Sequence, residues 1–516
     1  MENIKILWVD DEIDFLKPYI IFLEDKGFDV KTASNGHLAL TLIDENYFDI
    51  VFLDEQMPGL NGLMVLSEIK AKKPHLPVVM ITKSEEENIM EEAIGSKISD
   101  YLIKPVKPNQ LLLCIKKNID NKKLINEKTT SDYQKEFRKI SMKLNDYLTF
   151  EEWKELYKNL VHWDIELQKS DNKEMLNILQ MQKEEANIVF AKYIEKNYIS
   201  WINNNEKAPL SSNKILKEKI IPSLNNDGPL FFIVIDNLRF DQWKILQDEL
   251  NQYFKIIEED LYLSILPTST QFSRNAIFSG MMPENIKKTY PNKWVNENDK
   301  EGKNEHEEFF INSYLNKYKK DIKISYNKIT NLSAGKALVN NFSNLSNYDL
   351  NVIVYNFVDM LSHARTEMEV LKELAEDEAA YLSLTLSWFK HSPLIDVFKL
   401  ISEKNYNIVL TTDHGSIRVK NPIKIIGDSN TNTNLRYKSG KNLSYNSKNI
   451  ITFKNPKEIM LPQDNISTSY VFSSGDNFFA YPNNFNYYVQ YYKNTFQHGG
   501  VSLEEMLLPI IKLRKN

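Results

Sequence analysis

Cysteine is nearly absent from this sequence: among 516 residues there is one, Cys114. A single thiol cannot form a disulfide within the chain, which fits a reducing compartment and excludes a disulfide-stabilised secreted fold. Long apolar runs are also missing, because none approaches the ~18 uninterrupted apolar residues that a membrane-spanning helix needs. The N-terminal segment MENIKILWVDDE has no apolar stretch of secretory length. We therefore expect a cytoplasmic protein with no membrane span.

A strong charge of one sign is absent as well. Lys and Arg number 64 against 70 Asp and Glu, and the formal net charge is -6. This balance gives no reason to expect a nucleic-acid-binding surface over the whole molecule. The sequence has no terminal helix-turn-helix pattern and no concentrated basic recognition helix, so we expect no direct DNA binding.

The pattern of apolar residues changes twice along the chain, which is too long for one hydrophobic core. Residues 1–120 alternate short apolar strands with amphipathic helices, which predicts a parallel sheet covered on both faces. Residues 121–205 contain no glycine or proline and predict a bundle of at least three helices, either a passive spacer or an element that transmits changes in packing. Residues 206–516 predict a second α/β domain, with insertions at about 283–345 and 418–475.

Four predicted strands of the first segment end in residues suited to phosphoryl chemistry. These residues are Asp10 with Asp11, then Asp54, Thr82 and Lys104. The carboxyl ends of strands in an open parallel sheet converge on one crevice. A carboxylate that attacks a phosphoryl group needs a divalent cation, and a lysine and a hydroxyl can hold the phosphoryl oxygens. Each residue alone has a simpler explanation as a cap or a surface group, but the ordered set predicts a phosphoacceptor site.

The string LDEQMPG and the strand-end residues resemble the CheY-type receiver domain, which has a doubly wound flavodoxin-like fold. The resemblance implies that Asp54 is the phosphoacceptor, that Thr82, Tyr101 and Lys104 form the switch, and that a sensor histidine kinase is the partner. The Mg²⁺ ligands are expected to be oxygen donors at the strand ends: Asp10, Asp11, Asp54 and the carbonyl of Gln56.

The C-terminal segment places metal-ligand residue types at strand ends again. The strings FFIVIDN, NVIVYNFVDMLSH, NIVLTTDHG and FQHGG supply three aspartates and three histidines: Asp236, Asp359, His363, Asp413, His414 and His498. Asp359 and His363 are four residues apart, so on a helix they face the same side and can bind one ion. Six such ligands can form two sites with open positions, which is typical of catalytic zinc; Mn²⁺ is the alternative.

A candidate nucleophile lies in the string LPTSTQFSRNAIFSG, where a helical pattern begins near Thr270. A threonine at that point is either the N-cap of the helix or a hydroxyl that becomes phosphorylated, because a helix N-terminus favours anions. Arg274 follows one turn later and is a candidate for holding a phosphate oxygen.

The ligand set and Thr270 together resemble the alkaline phosphatase superfamily, and within it the PglZ-like branch, over about 300 residues. The resemblance implies two zinc sites with Thr270 between them: Asp359, His363 and His498 in one, and Asp236, Asp413 and His414 in the other. Nucleotide pyrophosphatase relatives have an asparagine three residues after the nucleophile, where this chain has Ser273. Their substrates are therefore not carried over to this chain.

The order of receiver domain, helical segment and PglZ-like domain resembles that of PorX-type response regulators. The resemblance implies dimerisation on phosphorylation and an effect on type IX secretion. One hypothesis is a phosphorylation-regulated zinc phosphodiesterase that acts on small (oligo)nucleotide phosphodiesters, with Thr270 attacking phosphorus. The alternative is a protein-binding platform, with little catalysis, for a sigma factor or a secretion component. The complete set of ligands plus the hydroxyl favours hydrolysis.

Basic residues are concentrated between the DH and HGG strings: Arg418, Lys420, Lys424, Arg436, Lys438 and Lys441. Chain connectivity ties both ends of this stretch to the predicted metal crevice. We expect these side chains to attract the distal phosphates of a substrate, and salt to weaken that attraction. The alternative is a solvated loop rich in lysine and asparagine.

Overall fold

In a computed structural model of the chain, the described residues are 4–74, 76–83, 98–170, 172–203, 208–224, 228–296, 302–318, 322–375, 377–428, 431–445, 449–463 and 465–516. The chain divides into two compact units. Unit 1 comprises residues 1–135 and 166–173, and unit 2 comprises residues 136–165 and 174–516. Over the described part of the chain, no helix combines the length and the apolar character needed to cross a membrane.

Unit 1 contains a five-stranded sheet in which all neighbouring strands are parallel, in the order β2-β1-β3-β4-β5. The strands are β1 (Lys5–Val9), β2 (Asp29–Ala33), β3 (Ile50–Asp54), β4 (Val78–Thr82) and β5 (Asp100–Ile103). The helices that begin in this unit are α1 (Ile13–Asp25), α2 (Gly36–Glu45), α3 (Gly62–Lys72) and α4 (Pro108–Asn145). The predicted doubly wound fold is confirmed.

Apolar residues alternate between the two faces of this sheet, as strand geometry requires. In β1, Leu7 and Val9 belong to one buried cluster. Ile6 and Trp8 belong to a second cluster, to which the buried Cys114 of α4 also contributes. Both faces of the sheet are therefore covered by apolar side chains, which is why its central strands are continuous apolar runs.

The middle of the chain is helical, as the sequence predicts. After α4 come α5 (Phe150–Lys169) and α6 (Lys173–Asn203). Trp153 of α5 packs edge-on against Phe190 of α6, with ring centroids 5.2 Å apart. The Gln182 side chain of α6 donates a hydrogen bond of 3.0 Å to the carbonyl of Phe137 in α4. Aromatic packing and this polar contact hold the three helices together within unit 2.

The remainder of unit 2 is an α/β domain. Its strands are β6 (Leu230–Ile235), β7 (Phe254–Leu263), β8 (Ile324–Ile329), β9 (Leu350–Tyr355), β10 (Asn407–Thr411), β11 (Ile417–Arg418), β12 (Asn421–Ile426), β13 (Tyr437–Gly440), β14 (Ser444–Tyr445), β15 (Ile450–Phe453), β16 (Ser469–Ser473), β17 (Asn477–Ala480), β18 (Phe496–Gln497) and β19 (Leu507–Lys515). Its helices are α7 (Phe240–Leu250), α8 (Thr270–Ser279), α9 (Pro283–Thr289), α10 (Glu307–Tyr318), α11 (Leu332–Asn340), α12 (Phe342–Leu345), α13 (Phe357–Glu367), α14 (Glu369–Leu374), α15 (Glu378–His391), α16 (Pro393–Glu403), α17 (Phe485–Tyr492) and α18 (Leu503–Met506).

The main sheet of unit 2 has six strands in the order β7-β19-β10-β6-β9-β8. Strands β10, β6, β9 and β8 are parallel, whereas β19 is antiparallel to both β10 and β7. Strands β10 and β19 are neighbours in the sheet, so the chain between them is an insertion. That insertion forms three small sheets of its own, in the orders β11-β18, β14-β12-β17 and β13-β16-β15.

Several predicted ligands lie just after the carboxyl ends of the parallel strands of this sheet. Asp236 directly follows β6, and Asp413 is the second residue after the end of β10. The sequence predicts a strand over 352–357, but β9 ends at Tyr355 and helix α13 begins at Phe357. This earlier turn places Asp359 in the first turn of α13.

Candidate functional site

The acidic residues of unit 1 meet where β1 and β3 end. Carboxylate oxygens of Asp10, Asp11 and Asp54 lie within 4.8 Å of one another. The Lys104 Nζ atom lies 2.8 Å from Asp10 Oδ2 and 2.8 Å from Asp54 Oδ1. Burial raises the pKa of the Asp54 carboxyl, and the contact with Lys104 opposes that effect. An oxygen-rich pocket of this kind suits Mg²⁺.

The other predicted receiver residues lie on strands of the same sheet or just after one. Thr82 is the last residue of β4, and its hydroxyl donates a hydrogen bond to the side chain of Glu55, which is buried. Gln56 follows Glu55 and has an exposed side chain, and the Tyr101 side chain on β5 is 38% exposed. Glu55 is absent from the sequence-based prediction, because an acid beside the phosphoacceptor gives no separate signal.

A first group of ligand atoms in unit 2 comprises Asp359, His363 and His498, whose atoms lie within 4.8 Å of one another. Asp359 Oδ2 is 3.5 Å from His363 Nε2, and Asp359 Oδ1 is 3.8 Å from His498 Nε2. The i and i+4 positions on α13 bring the first two together, as the spacing predicts. The His363 side chain is 60% exposed, so this group opens to solvent.

A second group comprises Asp236, Asp359 and His414, again with ligand atoms within 4.8 Å of one another. His414 Nε2 is 3.5 Å from Asp236 Oδ1 and 3.8 Å from Asp413 Oδ2. The resemblance implies Asp413 in this group and Asp359 only in the first. In the structure Asp359 lies close to both groups, so the six predicted ligands form one continuous cluster.

The cluster has features that a metal ion would satisfy. Asp236 Oδ1 and Asp413 Oδ2 are buried and have no hydrogen-bond partner within the described ranges. A buried, unpaired carboxylate oxygen is costly, and a cation removes that cost. Burial and the negative charge of Asp236 together raise the pKa of Asp359 to about 6, which shows how crowded the negative charges are.

His414 and His498 are oriented so that each can bind a metal ion. The Nδ1 atom of His414 lies 3.2 Å from the carbonyl oxygen of Gly415, and that of His498 lies 3.3 Å from the carbonyl oxygen of Thr268. These contacts leave both Nε2 atoms directed at the carboxylates. Burial lowers the pKa of both imidazoles, which favours the neutral form that binds metals. The donor set therefore fits two divalent ions of the zinc type.

Thr270 is the first residue of α8, and its Oγ1 atom lies 2.9 Å from His414 Nε2. The N-cap of the helix is Ser269, whose side chain makes no capping hydrogen bond. The threonine hydroxyl is thus turned toward the ligand cluster instead of capping the helix. The hydroxyl lies at the N-terminal end of the helix, which is the end that favours bound anions.

Three family models match this chain. A response regulator receiver domain matches residues 6–116, the PorX response regulator linker domain matches residues 123–202, and the BREX system PglZ alkaline phosphatase-like domain matches residues 215–513. The last match spans more than half of the chain. The chain belongs to the PglZ alkaline phosphatase-like family. The order of the three domains is that of PorX-type response regulators, so the chain is a response regulator with a PglZ phosphatase-like effector domain.

Relatives of known name match a shorter part of the chain. The alginate biosynthesis transcriptional regulatory protein AlgB of Pseudomonas putida is 37% identical over 120 residues, which are 23% of this chain and 27% of AlgB. The transcriptional regulatory protein ZraR of Escherichia coli K12 is 34% identical over 128 residues, which are 25% of this chain and 29% of ZraR. The chain thus spans less than a third of the length of either relative.

Solved structures of isolated receiver domains also match. The receiver domain from Clostridium thermocellum is 36% identical and covers 23% of this chain and 98% of its own, with a TM-score of 0.23. A CheY-like receiver domain from Methanospirillum hungatei is 26% identical and covers 23% of this chain and 96% of its own, also with a TM-score of 0.23. Receiver domains are phosphorylated by sensor kinases.

Arg274 of the PglZ domain lies behind the ligand cluster and is 1% exposed. Its Nη1 atom donates to Asp236 Oδ2 at 2.7 Å, and its Nε atom donates to Glu307 Oε1 at 2.6 Å. The guanidinium therefore orients a candidate ligand and neutralises two buried carboxylates. Ser273 is turned away from the cluster, and its hydroxyl contacts Ser264 at 3.0 Å.

The loop after His498 is held by its two glycines. Gly499 has a φ of 121°, and its N–H donates to the hydroxyl of Thr268 at 3.1 Å. A Cβ atom at Gly500 would lie 2.5 Å from a backbone oxygen, so a larger residue does not fit. The Gly500 N–H donates to Glu505 Oε1 at 2.9 Å. Glu505 thereby fixes the backbone that carries a candidate ligand.

The prediction that Arg436 and Lys438 spread positive charge over the crevice is wrong. Arg436 is completely buried, and its Nη2 atom lies 2.6 Å from Glu505 Oε2. Lys438 is 1% exposed and donates to a backbone carbonyl at 2.9 Å. Lys420 is paired with Glu184 at 2.7 Å. Arg436 pairs with Glu505, which also holds the loop after His498, and Lys438 binds a backbone carbonyl. Neither positive charge is therefore free to attract a phosphate in the crevice.

Proposed function

We propose that this response regulator is a phosphorylation-controlled, zinc-dependent hydrolase of phosphodiesters. The observation that carries the proposal is the position of Thr270 Oγ1, 2.9 Å from the ring of His414 at the edge of the ligand cluster. A hydroxyl and a helix N-terminus lie there beside five clustered candidate ligands, and Asp413 Oδ2 is 3.8 Å from His414 Nε2. Such a combination is typical of nucleophilic attack on phosphorus.

Each group of residues has a role in this proposal. Two zinc ions supply Lewis-acid chemistry, which lowers the pKa of an attacking hydroxyl and stabilises charge on the leaving oxygen. The ligands assigned to one ion are Asp359, His363 and His498, and those assigned to the other are Asp236, Asp413 and His414. The Thr270 hydroxyl attacks phosphorus, the P–O bond to one ester group breaks, and that group leaves as an alcohol that carries the proton lost by the threonine. Water then hydrolyses the phosphothreonine, which releases the phosphomonoester and restores the hydroxyl; the N-terminus of α8 favours the anionic phosphoryl group. Because a threonine nucleophile in this superfamily is commoner in diesterases, we propose small (oligo)nucleotide phosphodiesters as substrates.

The receiver domain supplies control. A sensor histidine kinase phosphorylates Asp54, with Mg²⁺ held by the three aspartates and the carbonyl of Gln56. Thr82 and Lys104 hold the phosphoryl oxygens, and Tyr101 belongs to the switch. By resemblance to PorX-type regulators, the proposal extends to a cytoplasmic protein that dimerises on phosphorylation and regulates type IX secretion.

The test compares the zinc-loaded wild type with Thr270→Ala on a chromogenic phosphodiester and a short oligonucleotide. Thr289→Ala is the matched control, because Thr289 is an exposed threonine at the end of a helix in the same domain. We expect a loss of at least about 10³-fold in kcat for Thr270→Ala with unchanged zinc content, and no loss for the control. Equal rates for Thr270→Ala and the wild type would overturn the nucleophile. No hydrolysis by the zinc-loaded wild type would leave the protein-binding platform as the better function.

A further inference from the structure

Helix α17 exposes an unusual number of aromatic rings for its length. Its sequence is FNYYVQYY, and the Tyr487 and Tyr488 side chains are 63% and 39% exposed. Tyr487 and Tyr491 are stacked, with ring centroids 6.1 Å apart and planes 17° apart. Tyr488 and Tyr492 are stacked in the same way, at 6.2 Å and 14°. Two parallel rows of rings therefore lie along one short helix.

One face of helix α17 packs against the interior of the domain. Tyr492 and Val489 pack against a buried cluster formed by Ile417, Val419 and Phe478. The inner face of α17 thus provides the attachment, and the outer tyrosine rings remain at the surface. Exposed rings of this size leave apolar area in water that binding to a partner would remove.

The same helix is joined to the ligand cluster. Its last residue lies six positions before His498. The carbonyl of Asn494, between the helix and that histidine, accepts hydrogen bonds from Arg365 and, at 3.4 Å, from Arg418. Arg365 belongs to α13 and follows His363 by two residues. The C-terminal end of α17 is therefore linked, through Asn494 and Arg365, to the helix that carries Asp359 and His363.

Positive charge surrounds the aromatic rows. The Lys372 Nζ atom lies 4.6 Å above the Tyr491 ring, and the Lys424 Nζ atom lies 5.8 Å from the ring of Phe485. Arg418 adds a partly exposed guanidinium group near the end of the helix, where it donates to the carbonyl of Asn494 at 3.4 Å. Aromatic faces combined with cations suit a ligand that has both flat rings and phosphates.

We propose that the exposed rings of Tyr487 and Tyr488, together with the partly buried ring of Tyr491, bind the unpaired bases of a single-stranded oligonucleotide whose scissile phosphodiester lies at the ligand cluster. The proposal rests on the phosphodiesterase function proposed above and names its substrate class more narrowly. Stacking on aromatic rings holds bases of any sequence, and nearby cations hold the backbone. Paired bases in a duplex present no free face to such rings, so single strands are preferred.

The first experiment compares two substrates. The double variant Tyr487→Ala with Tyr491→Ala is assayed on a short oligothymidylate and on bis(p-nitrophenyl) phosphate, which has no nucleobase. We expect KM for the oligothymidylate to rise about tenfold or more, because base stacking contributes strongly to single-strand affinity, and the small diester to be unaffected. An unchanged KM for the oligothymidylate, or an equal effect on both substrates, would overturn the proposal.

Two control variants separate ring stacking from general disturbance. Tyr487→Phe with Tyr491→Phe keeps the rings and should behave as the wild type. Tyr147→Ala removes a tyrosine that is 67% exposed, with Lys196 Nζ 4.4 Å above its ring, but that lies in the connection between α4 and α5. It should leave KM unchanged for both substrates. A loss in the Phe variant equal to that in the Ala variant would contradict stacking.

The second experiment distinguishes failure of this proposal from failure of the proposed function. Fluorescence anisotropy of labelled oligothymidylate is measured on the full chain carrying Thr270→Ala, with and without the two tyrosine-to-alanine changes. A loss of affinity of about tenfold supports the tyrosine site even if the protein hydrolyses no diester. Equal affinities overturn it, whatever the activity. If sedimentation shows that the alanine changes abolish self-association and leave oligonucleotide affinity unchanged, the rings form an interface between copies and the proposal is wrong.

Discussion

The phosphoacceptor pocket and the ligand cluster of the PglZ domain both lie at the carboxyl ends of parallel strands, but their charges are balanced differently. In the receiver domain, Lys104 Nζ lies 2.8 Å from both Asp10 and Asp54, so the chain supplies its own cation. In the PglZ domain, Arg274 Nη1 lies 2.7 Å from Asp236 Oδ2, but Asp236 Oδ1 and Asp413 Oδ2 are buried without a hydrogen-bond partner in the described part of the chain.

The two sites therefore differ in how their negative charges are offset. The Lys104 side chain is 18% exposed, so solvent reaches the ion pairs that it forms with Asp10 and Asp54. In the PglZ cluster, Arg274 offsets part of the negative charge, and a bound cation would offset the charge on the two oxygens that have no hydrogen-bond partner in the described residues; imidazoles with lowered pKa values suit a transition metal there. The four predictions that follow test this contrast.

The largest effect is expected in the receiver domain. Asp54→Ala should abolish phosphorylation by small phosphodonors such as acetyl phosphate, because Asp54 is the candidate phosphoacceptor at the end of β3. The measurement is the stoichiometry of labelling, with zinc content determined on the same sample. Asp49→Ala, at the opposite end of the strand, is the control and should be labelled as the wild type. Full labelling of Asp54→Ala would show that another residue is the acceptor.

In the PglZ domain, His363→Ala and His498→Ala should each lower the zinc content by about one ion per chain, because both residues are assigned to the same ion. The loss should also lower the melting temperature of that domain, since metal binding to the folded state adds to its stability. His391→Ala changes an exposed histidine of the same domain and serves as the control. Zinc content unchanged in both variants would contradict the shared site.

A smaller effect is expected for Arg274→Met. The change leaves Asp236 and Glu307 buried without their guanidinium partner, and breaking a buried ion pair costs about 3–5 kcal/mol. The urea midpoint of the PglZ domain should fall accordingly, and zinc should restore part of the loss because it offsets the charge of Asp236. The exposed pair Lys17–Asp14 provides a comparison, and Lys17→Met should leave the midpoint unchanged. Equal midpoints for Arg274→Met and the wild type would show that the pair does not stabilise the fold.

The smallest effect concerns Cys114, whose thiol packs in the receiver core. Burial raises its pKa to about 12, so the thiol stays protonated at pH 8 and ionises only at much higher pH. Iodoacetamide should therefore alkylate it slowly in the native protein and rapidly in urea. Because Cys114 lies in the receiver domain, its alkylation rate reports the opening of that domain. Unfolding of the PglZ domain is measured separately on the same sample. Equally fast alkylation in both conditions would contradict a closed core around α4.

The sequence predicts the strands that are continuous apolar runs, such as β1, β3, β6 and β10. It does not reveal β2, an edge strand in which polar residues alternate with apolar ones, or β19, which contains Pro509 and Lys512. These strands depend on their neighbours in the sheet, which local composition does not show.

The candidate site shows the same limit. The six ligand positions are predictable because each one follows a recognisable strand or lies in a short motif. Glu307 and Glu505 are not, since they reach Arg274 and Arg436 only through tertiary contacts. Arg436 and Glu505 are 69 residues apart, so a composition rich in lysine and arginine gives no sign that one arginine is buried. The role of Arg274 as a phosphate contact stays a prediction, which its burial disfavours.

Strand β19 also sets the order in which the molecule can be completed during synthesis. It lies between β7 and β10 in the sheet, although it follows every other strand along the chain. While the ribosome still holds this segment, β7 lacks its strand partner and the ligand loop of His498 lacks the Glu505 that fixes it. A chain terminated before His498 therefore carries a complete phosphoacceptor domain and an incomplete metal centre. Under the proposed function, such a product has the phosphoacceptor Asp54 but lacks His498, one of the candidate metal ligands.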